Sequence, residues 1–178
     1  MARQIEVPEN PLAHGLFATT RFAWLWTVLR IYLGWVWFRS GWGKVGNPAW
    51  METGQALRGY WTSAIQVEPR APIAYDWYRS FIEFLLEGGH YGWFAKLVVI
   101  GEILVGIALI LGAFTGIAAF WGGFMNFNFM MAGTASTNPL LYTISILLML
   151  AWKVAGYYGL DRWLLPWLGT PWGHIRSR

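Results

Sequence analysis

Two charged side chains stand where charge is expensive. Arg30 interrupts the apolar run FAWLWTVLRIYLGWVWF of residues 22–38, and Glu102 interrupts FAKLVVIGEILVGIALIL of residues 94–111. Runs of this kind approach the length that crosses roughly 30 Å of hydrocarbon, and a charge near the middle carries a penalty of about 2.5–3.5 kcal/mol on insertion scales. Neither side chain is expected to face lipid. Antiparallel neighbours of similar length bring their midpoints to one depth, so the first expectation is an Arg30–Glu102 pair. Such a pair either holds two helices in register or relays a proton, and both roles stay open. On a helical wheel Arg30, Gly34, Trp37, Gly41 and Lys44 form one stripe, while Glu102 shares its side with Val105, Gly106 and Leu109. Small residues on both stripes allow close helix approach.

A second polar set gathers near one end of the spans. Arg39 points nearly opposite Arg30, Asn126 and Asn128 lie in the outer part of a third apolar run, and Lys44 and His90 sit at its mouth. Together they predict a vestibule for a small oxyanion or a quinone head group, which needs donors to its carbonyl oxygens and an aromatic wall that Trp37 can supply. Each residue also has a plainer use. Arg39 and Lys44 can snorkel, the two asparagines can bridge helices, His90 can cap a loop, and Trp37 can pack between helices. The catalytic candidates are thus Arg30 and Glu102, and the binding candidates are Arg39, Lys44, His90, Asn126, Asn128 and Trp37.

The elements that must position these residues follow from the apolar runs. Spans are expected at 22–42, 94–111, 114–131 and 140–158, in an all-α, polytopic membrane protein built as an antiparallel four-helix transmembrane bundle. Residues 1–20 read as a polar tail with no cleavable signal, and 159–178 as a C-terminal tail. The loop 43–93 is long. Asn47-Pro48 predicts a capped helix start running to about Tyr60, and Ile73, Trp77, Tyr78, Phe81, Ile82 and Leu85 recur at helical spacing against Asp76, Arg79, Glu83 and Glu87. That pattern predicts an amphipathic helix over 73–87 lying in the interface. Arg3, Arg21, Arg162, Arg176 and Arg178 place the termini on the cytoplasmic side.

Composition sets the class independently. A 178-residue chain that is 56% hydrophobic and 12% charged, with mean hydropathy +0.39 and 14 Trp, holds more apolar material than one core of this size can hide. A bilayer is the expected partner. The net charge of +4 is scattered and partly inside apolar runs, which fits membrane topology and not nucleic acid. With no Cys and all three His outside the spans, iron–sulfur clusters, intramembrane bis-His haem and a metal centre on this chain are not expected. Any electron transfer then needs a diffusible quinone or a protein partner.

The run Arg30-IYL-Gly34-WVWFRS-Gly41-WG-Lys44 resembles the first span of the DoxX/DoxD membrane family, Glu102-ILV-Gly106-IALIL-Gly112-AFT resembles its second span, and Gly159-Leu-Asp161-Arg162 its closing motif. The long first loop with NPAW is closest to the DoxD type. That resemblance implies a multi-pass protein of a prokaryotic cytoplasmic membrane. It also implies a subunit of a quinone-linked oxidoreductase, acting with a second subunit on a small sulfur oxyanion such as thiosulfate. The alternative is a non-catalytic accessory or assembly subunit of a larger respiratory or photosynthetic complex.

Overall fold

Proline-free and rich in bulky apolar residues, Ala23–Val45 forms one unbroken helix of 23 residues (α2). The computed structural model describes residues 9–67 and 71–168, and among them there is no strand. The helices in chain order are α1 (Pro11–Phe17), α2, α3 (Pro48–Met51), α4 (Gln55–Ala64), α5 (Asp76–Glu87), α6 (Tyr91–Leu111), α7 (Thr115–Met131), α8 (Asn138–Leu150), α9 (Trp152–Ala155) and α10 (Asp161–Trp167), with a 3-10 turn at Thr20–Phe22. Of these, α6 alone is both long and apolar enough to cross a membrane by its own composition. The charges Arg30, Arg39 and Lys44 dilute α2, and α7 and α8 are shorter, with 17 and 13 residues.

The closest packing joins α2 to α6, antiparallel. A Cβ on Gly106 would lie 2.5 Å from the Phe38 nitrogen, one on Gly34 2.9 Å from the Gly106 carbonyl oxygen, and one on Gly41 3.0 Å from the Ile103 nitrogen. Backbone therefore touches backbone, as the small residues of both stripes predict. Trp37 lies on the same stripe and packs against Gly122 of α7. Trp26, Leu33, Trp37, Leu109, Ala119 and Leu148 belong to the main core, which α2, α6, α7, α8 and α9 build together.

The α6–α7 turn is tight and heavily tied. Gly112 and Phe114 both take left-handed φ values, 67° and 49°, and only the first is a residue that does so at no cost. Leu160 N donates to the Leu111 carbonyl at 3.0 Å and Asp161 N to the Gly112 carbonyl at 2.7 Å, so the chain after α9 is stitched onto this turn.

Several stretches differ from the reading of the sequence. The polar tail contains α1, capped by Asn10, and Trp26 Nε1 donates to the Leu16 carbonyl at 2.8 Å, which docks that helix on the bundle. Residues 1–8 and 169–178 of the two tails lie outside the described residues. The apolar run 140–158 is not one helix: it breaks at Ala151, where Val154 N bonds back to the Ala151 carbonyl in a tighter turn. Asn47 does cap a helix, accepting from Ala49 N at 2.9 Å, but Gly54 at φ 72° divides that segment into α3 and α4. The amphipathic helix starts at Asp76 instead of 73: residues 71–75 form no helix, and Tyr75 before it is extended at φ −115°, ψ 121°. Its Tyr78, Ile82 and Leu85 join Leu57 and Trp61 of α4, Ala95 of α6 and Ala132 in a second core.

Because Gly106 meets α2 backbone whereas Gly43 has nothing within 4 Å of an added Cβ, the two should respond oppositely to alanine. Gly106→Ala is expected to lower stability by about 1–3 kcal/mol through overpacking, and Gly43→Ala to be neutral or stabilising through helix propensity. Thermal unfolding of both variants in one mild detergent checks the contrast.

Candidate functional site

Arg30 and Glu102 are both buried, each 1% exposed, but they do not pair. The correction follows from register. Arg30 lies level with the C-terminal end of α6, where Nη1 donates to the carbonyl of Leu109 and to that of Ile110 at 2.9 Å, and Nη2 to that of Tyr158 at 3.4 Å. Glu102 lies about two turns before those carbonyls on α6, opposite Gly41. Its partner is Lys44, whose Nζ is 2.5 Å from Glu102 Oε2 and 2.9 Å from Ser40 Oγ. The stripe was correctly drawn. Its far end, Lys44, reaches back one turn and takes the carboxylate, with its ammonium 5.1 Å above the Trp50 ring.

Arg30 finds its charge complement elsewhere. Asp161, fully buried, accepts from Phe114 N at 2.5 Å through Oδ1 and from Thr115 N at 2.9 Å through Oδ2, and its charge acts on Arg30. An Arg thus satisfies the carbonyl end of one helix while an Asp satisfies the amide start of the next.

The expected vestibule is not assembled as one site. Arg39 is exposed on the face of α2 turned away from α6, between Tyr32, Trp35, Val36 and Ser40, so it cannot share an anion with Lys44. His90 is local: its Nδ1 takes the Trp93 indole N–H at 3.2 Å and its ring packs on Phe84. Trp37 and Asn126 lie in the bundle interior, 3% and 0% exposed. Neither the Trp37 indole N–H nor either polar atom of the Asn126 amide has a hydrogen-bond partner.

Asn128 lines a cavity inside the fold. This space of about 150 Å³ lies between α4, α5, α6 and α7 and is lined by aromatic and aliphatic side chains, among them Tyr60, Trp61, Tyr78, Phe94, Val98 and Phe129. It is in the size range that accommodates a single six-membered ring. Polar groups occupy one end. Tyr78 Oη donates to the Asn128 carbonyl at 3.1 Å and side-chain oxygen at 3.2 Å, Tyr60 Oη lies 2.8 Å from Thr134 Oγ1, and Asn128 Nδ2 donates to the Phe124 carbonyl at 2.8 Å. Burial pushes the Tyr60 hydroxyl up, partly offset by Thr134. Burial and then the neighbouring Tyr60 push Tyr78 up to about 12. Both are therefore neutral O–H donors at any physiological pH.

Neither tyrosine stood out in the sequence. Tyr78 reads there as one more apolar position of an amphipathic helix, and Tyr60 falls at the end of a segment with no chemical signature. A hydroxyl on the buried stripe of a helix is the signal that points to them, since such a group must find a partner.

Comparison with known proteins bears on what this arrangement serves. The family model described as "TQO small subunit DoxD" matches residues 25–170. No curated protein and no solved structure matches the chain.

Two measurements test the site chemistry. Lys44 is 20% exposed and Glu102 2%, so Lys44→Met, which strands the deeper charge, should cost about 3 kcal/mol or more. Glu102→Gln leaves an ammonium that can turn toward solvent and should cost less, and the double variant should recover part of the loss. Equal effects in a melting series would remove the asymmetry. A tyrosine raised from 10.0 to about 12 in the fold gives stability that is complete below pH 10 and lost as pH rises toward 12. Tyr78→Phe should flatten that alkaline loss, followed by unfolding and by tyrosinate absorbance.

Proposed function

The chain belongs to the DoxD family, and on that premise we propose that it is the membrane subunit of a thiosulfate:quinone oxidoreductase and binds the quinone. In this reading α2, α6, α7 and the α8–α9 pair cross the cytoplasmic membrane of a prokaryote as an antiparallel four-helix bundle. Their outward faces support it. Val28, Ile31 and Trp35 of α2, Leu97, Ile100 and Leu104 of α6, Ile117, Phe120 and Phe124 of α7, and Leu140, Ile146 and Leu150 of α8 are all exposed large hydrophobics, a belt that water would not tolerate over four helices. Arg21 and Arg162 support a cytoplasmic terminal side, and in this reading α3, α4 and α5 form an outer layer.

The observation that carries the quinone assignment is the cavity beneath that layer. A quinone head group is a flat apolar ring with two carbonyl oxygens; it asks for aromatic walls and for donors at an end. Trp61, Phe94 and Phe129 offer walls, and Tyr60, Tyr78 and Asn128 offer the polar end. The Tyr78 hydroxyl is shared between two acceptors at 3.1 and 3.2 Å, a divided bond that a quinone carbonyl can replace. Oxidation of the sulfur oxyanion releases electrons, and each quinone takes two of them with two protons to become the quinol. Both tyrosines enter as positioning donors and keep their protons, consistent with hydroxyls held neutral by burial.

Filling the cavity tests the assignment. Val98→Phe projects a ring into it, and Tyr78→Phe removes a donor without changing shape. A soluble quinone analogue titrated by calorimetry should lose at least tenfold affinity with Val98→Phe and a smaller factor with Tyr78→Phe, while melting temperatures in detergent stay close to the parent. Undiminished affinity in both variants would exclude this cavity as the site.

A further inference from the structure

Arg39 occupies an unusual place on the bundle. It sits nine residues beyond Arg30 on α2, about 14 Å at 1.5 Å rise per residue, and two residues from Trp37, which packs on Gly122 near the middle of α7. Its depth is therefore central. Its direction is outward, on the stripe that also carries Trp24, Val28, Ile31, Trp35 and Trp42, exposed by 59, 59, 45, 55 and 63%. Among the described residues no hydrogen bond or ion pair engages its guanidinium, whereas Arg30 on one side of it in depth and Lys44 on the other both have partners within the chain. About 9 Å of α2 continues past Arg39 to Val45, past the exposed Trp42.

Resting on the reading that α2 crosses the bilayer, we propose that this face of α2 is a docking surface for a membrane-spanning helix of a different protein chain, which presents an Asp or Glu to Arg39. A cation that faces lipid at mid-depth is costly and is relieved by an opposite charge in the same plane. The aromatic rings around it, Tyr32, Trp35 and Trp42, supply broad contact surface for such a helix.

No described carboxylate of a second copy is placed to supply the charge. Among the described acidic residues, Glu102 and Asp161 alone belong to the bundle interior or its cap at the α6–α7 turn, and both are buried and occupied, by Lys44 and by the start of α7. Glu9 and Glu52 lie at helix ends, Asp76, Glu83 and Glu87 on α5, and Glu6 and Glu68 fall outside the described residues. No bundle helix turns a carboxylate toward lipid. The complement is therefore assigned to another chain.

The test uses the full chain in its native membranes with Trp35→p-benzoylphenylalanine as a photocrosslinker. The expected product is one peptide of another protein, from an apolar segment that contains Asp or Glu. Adding Arg39→Leu should lower its yield at least tenfold, Arg39→Lys should keep most of it, and neutralising the partner's carboxylate should give the same loss without adding to that of Arg39→Leu. Carbonate extraction is read in parallel. A chain that resists carbonate but crosslinks to lipid alone or to a second copy, or whose crosslink survives Arg39→Leu, overturns the docking surface. A chain released by carbonate overturns the spanning reading, and the docking surface with it.

Discussion

Everything at the α6–α7 end of this fold depends on how that turn is charged. Two antiparallel helices joined by a tight turn bring the carbonyl end of one against the amide start of the other, and both ends carry groups without helical partners. In water these would be solvated; inside a packed bundle they must be met by the protein. Arg30 meets the carbonyls of Leu109 and Ile110, and Asp161 meets the amides of Phe114 and Thr115. Each charge has the sign that complements the helix end it serves. Together they are neutral, which is the condition for holding both in a low-dielectric interior.

That arrangement accounts for the glycines around it. An added Cβ on Gly112 would lie 2.7 Å from Arg30 Nη1, and one on Gly156 would strike the Asp161 carboxylate. Phe114 keeps a positive φ that a side chain rarely adopts, and the bond from its nitrogen to Asp161 holds it there. The closing segment after α9 is therefore part of the bundle's cap at the α6–α7 turn. Its Gly-Leu-Asp run carries the counter-charge to a residue more than a hundred positions earlier in the chain.

The sequence made the helices and their facing stripes legible, because apolar periodicity and small-residue spacing are local signals. Partner choice within the stripe was not legible. Matching midpoints of the two apolar runs paired Arg30 with Glu102, but the two helices do not align by their midpoints: Gly34 meets Gly106 and Ile110, and Gly41 meets Glu102 and Ile103. That register leaves Glu102 to Lys44, which reads in the sequence as a binding candidate at the vestibule mouth or as a snorkelling residue. The outer layer was harder still. Its cavity is assembled from α4, α5, α6 and α7, and the register of a short amphipathic helix against a bundle is not written in its own periodicity. Asn128 was found as a polar residue in an apolar run; Tyr60 and Tyr78 were hidden by being equally good as packing.

The three cations of α2 show how one helix separates duties by angle and depth. Arg30 is turned toward the bundle near the α6–α7 turn and serves backbone. Lys44 is turned toward the bundle near the C-terminal end of α2 and serves a carboxylate about one turn from its own level. Arg39 lies between them in depth and opposite them in angle, so neither set of acceptors is within its reach. The inward pair can be understood from this chain alone, since each has a buried partner that would be stranded without it. Arg39 has no such partner among the described residues, and the two bundle carboxylates are already used. With Arg30 and Lys44 each bonded within the chain, the outward Arg39 is the charge of α2 on which the proposed contact with a second molecule rests.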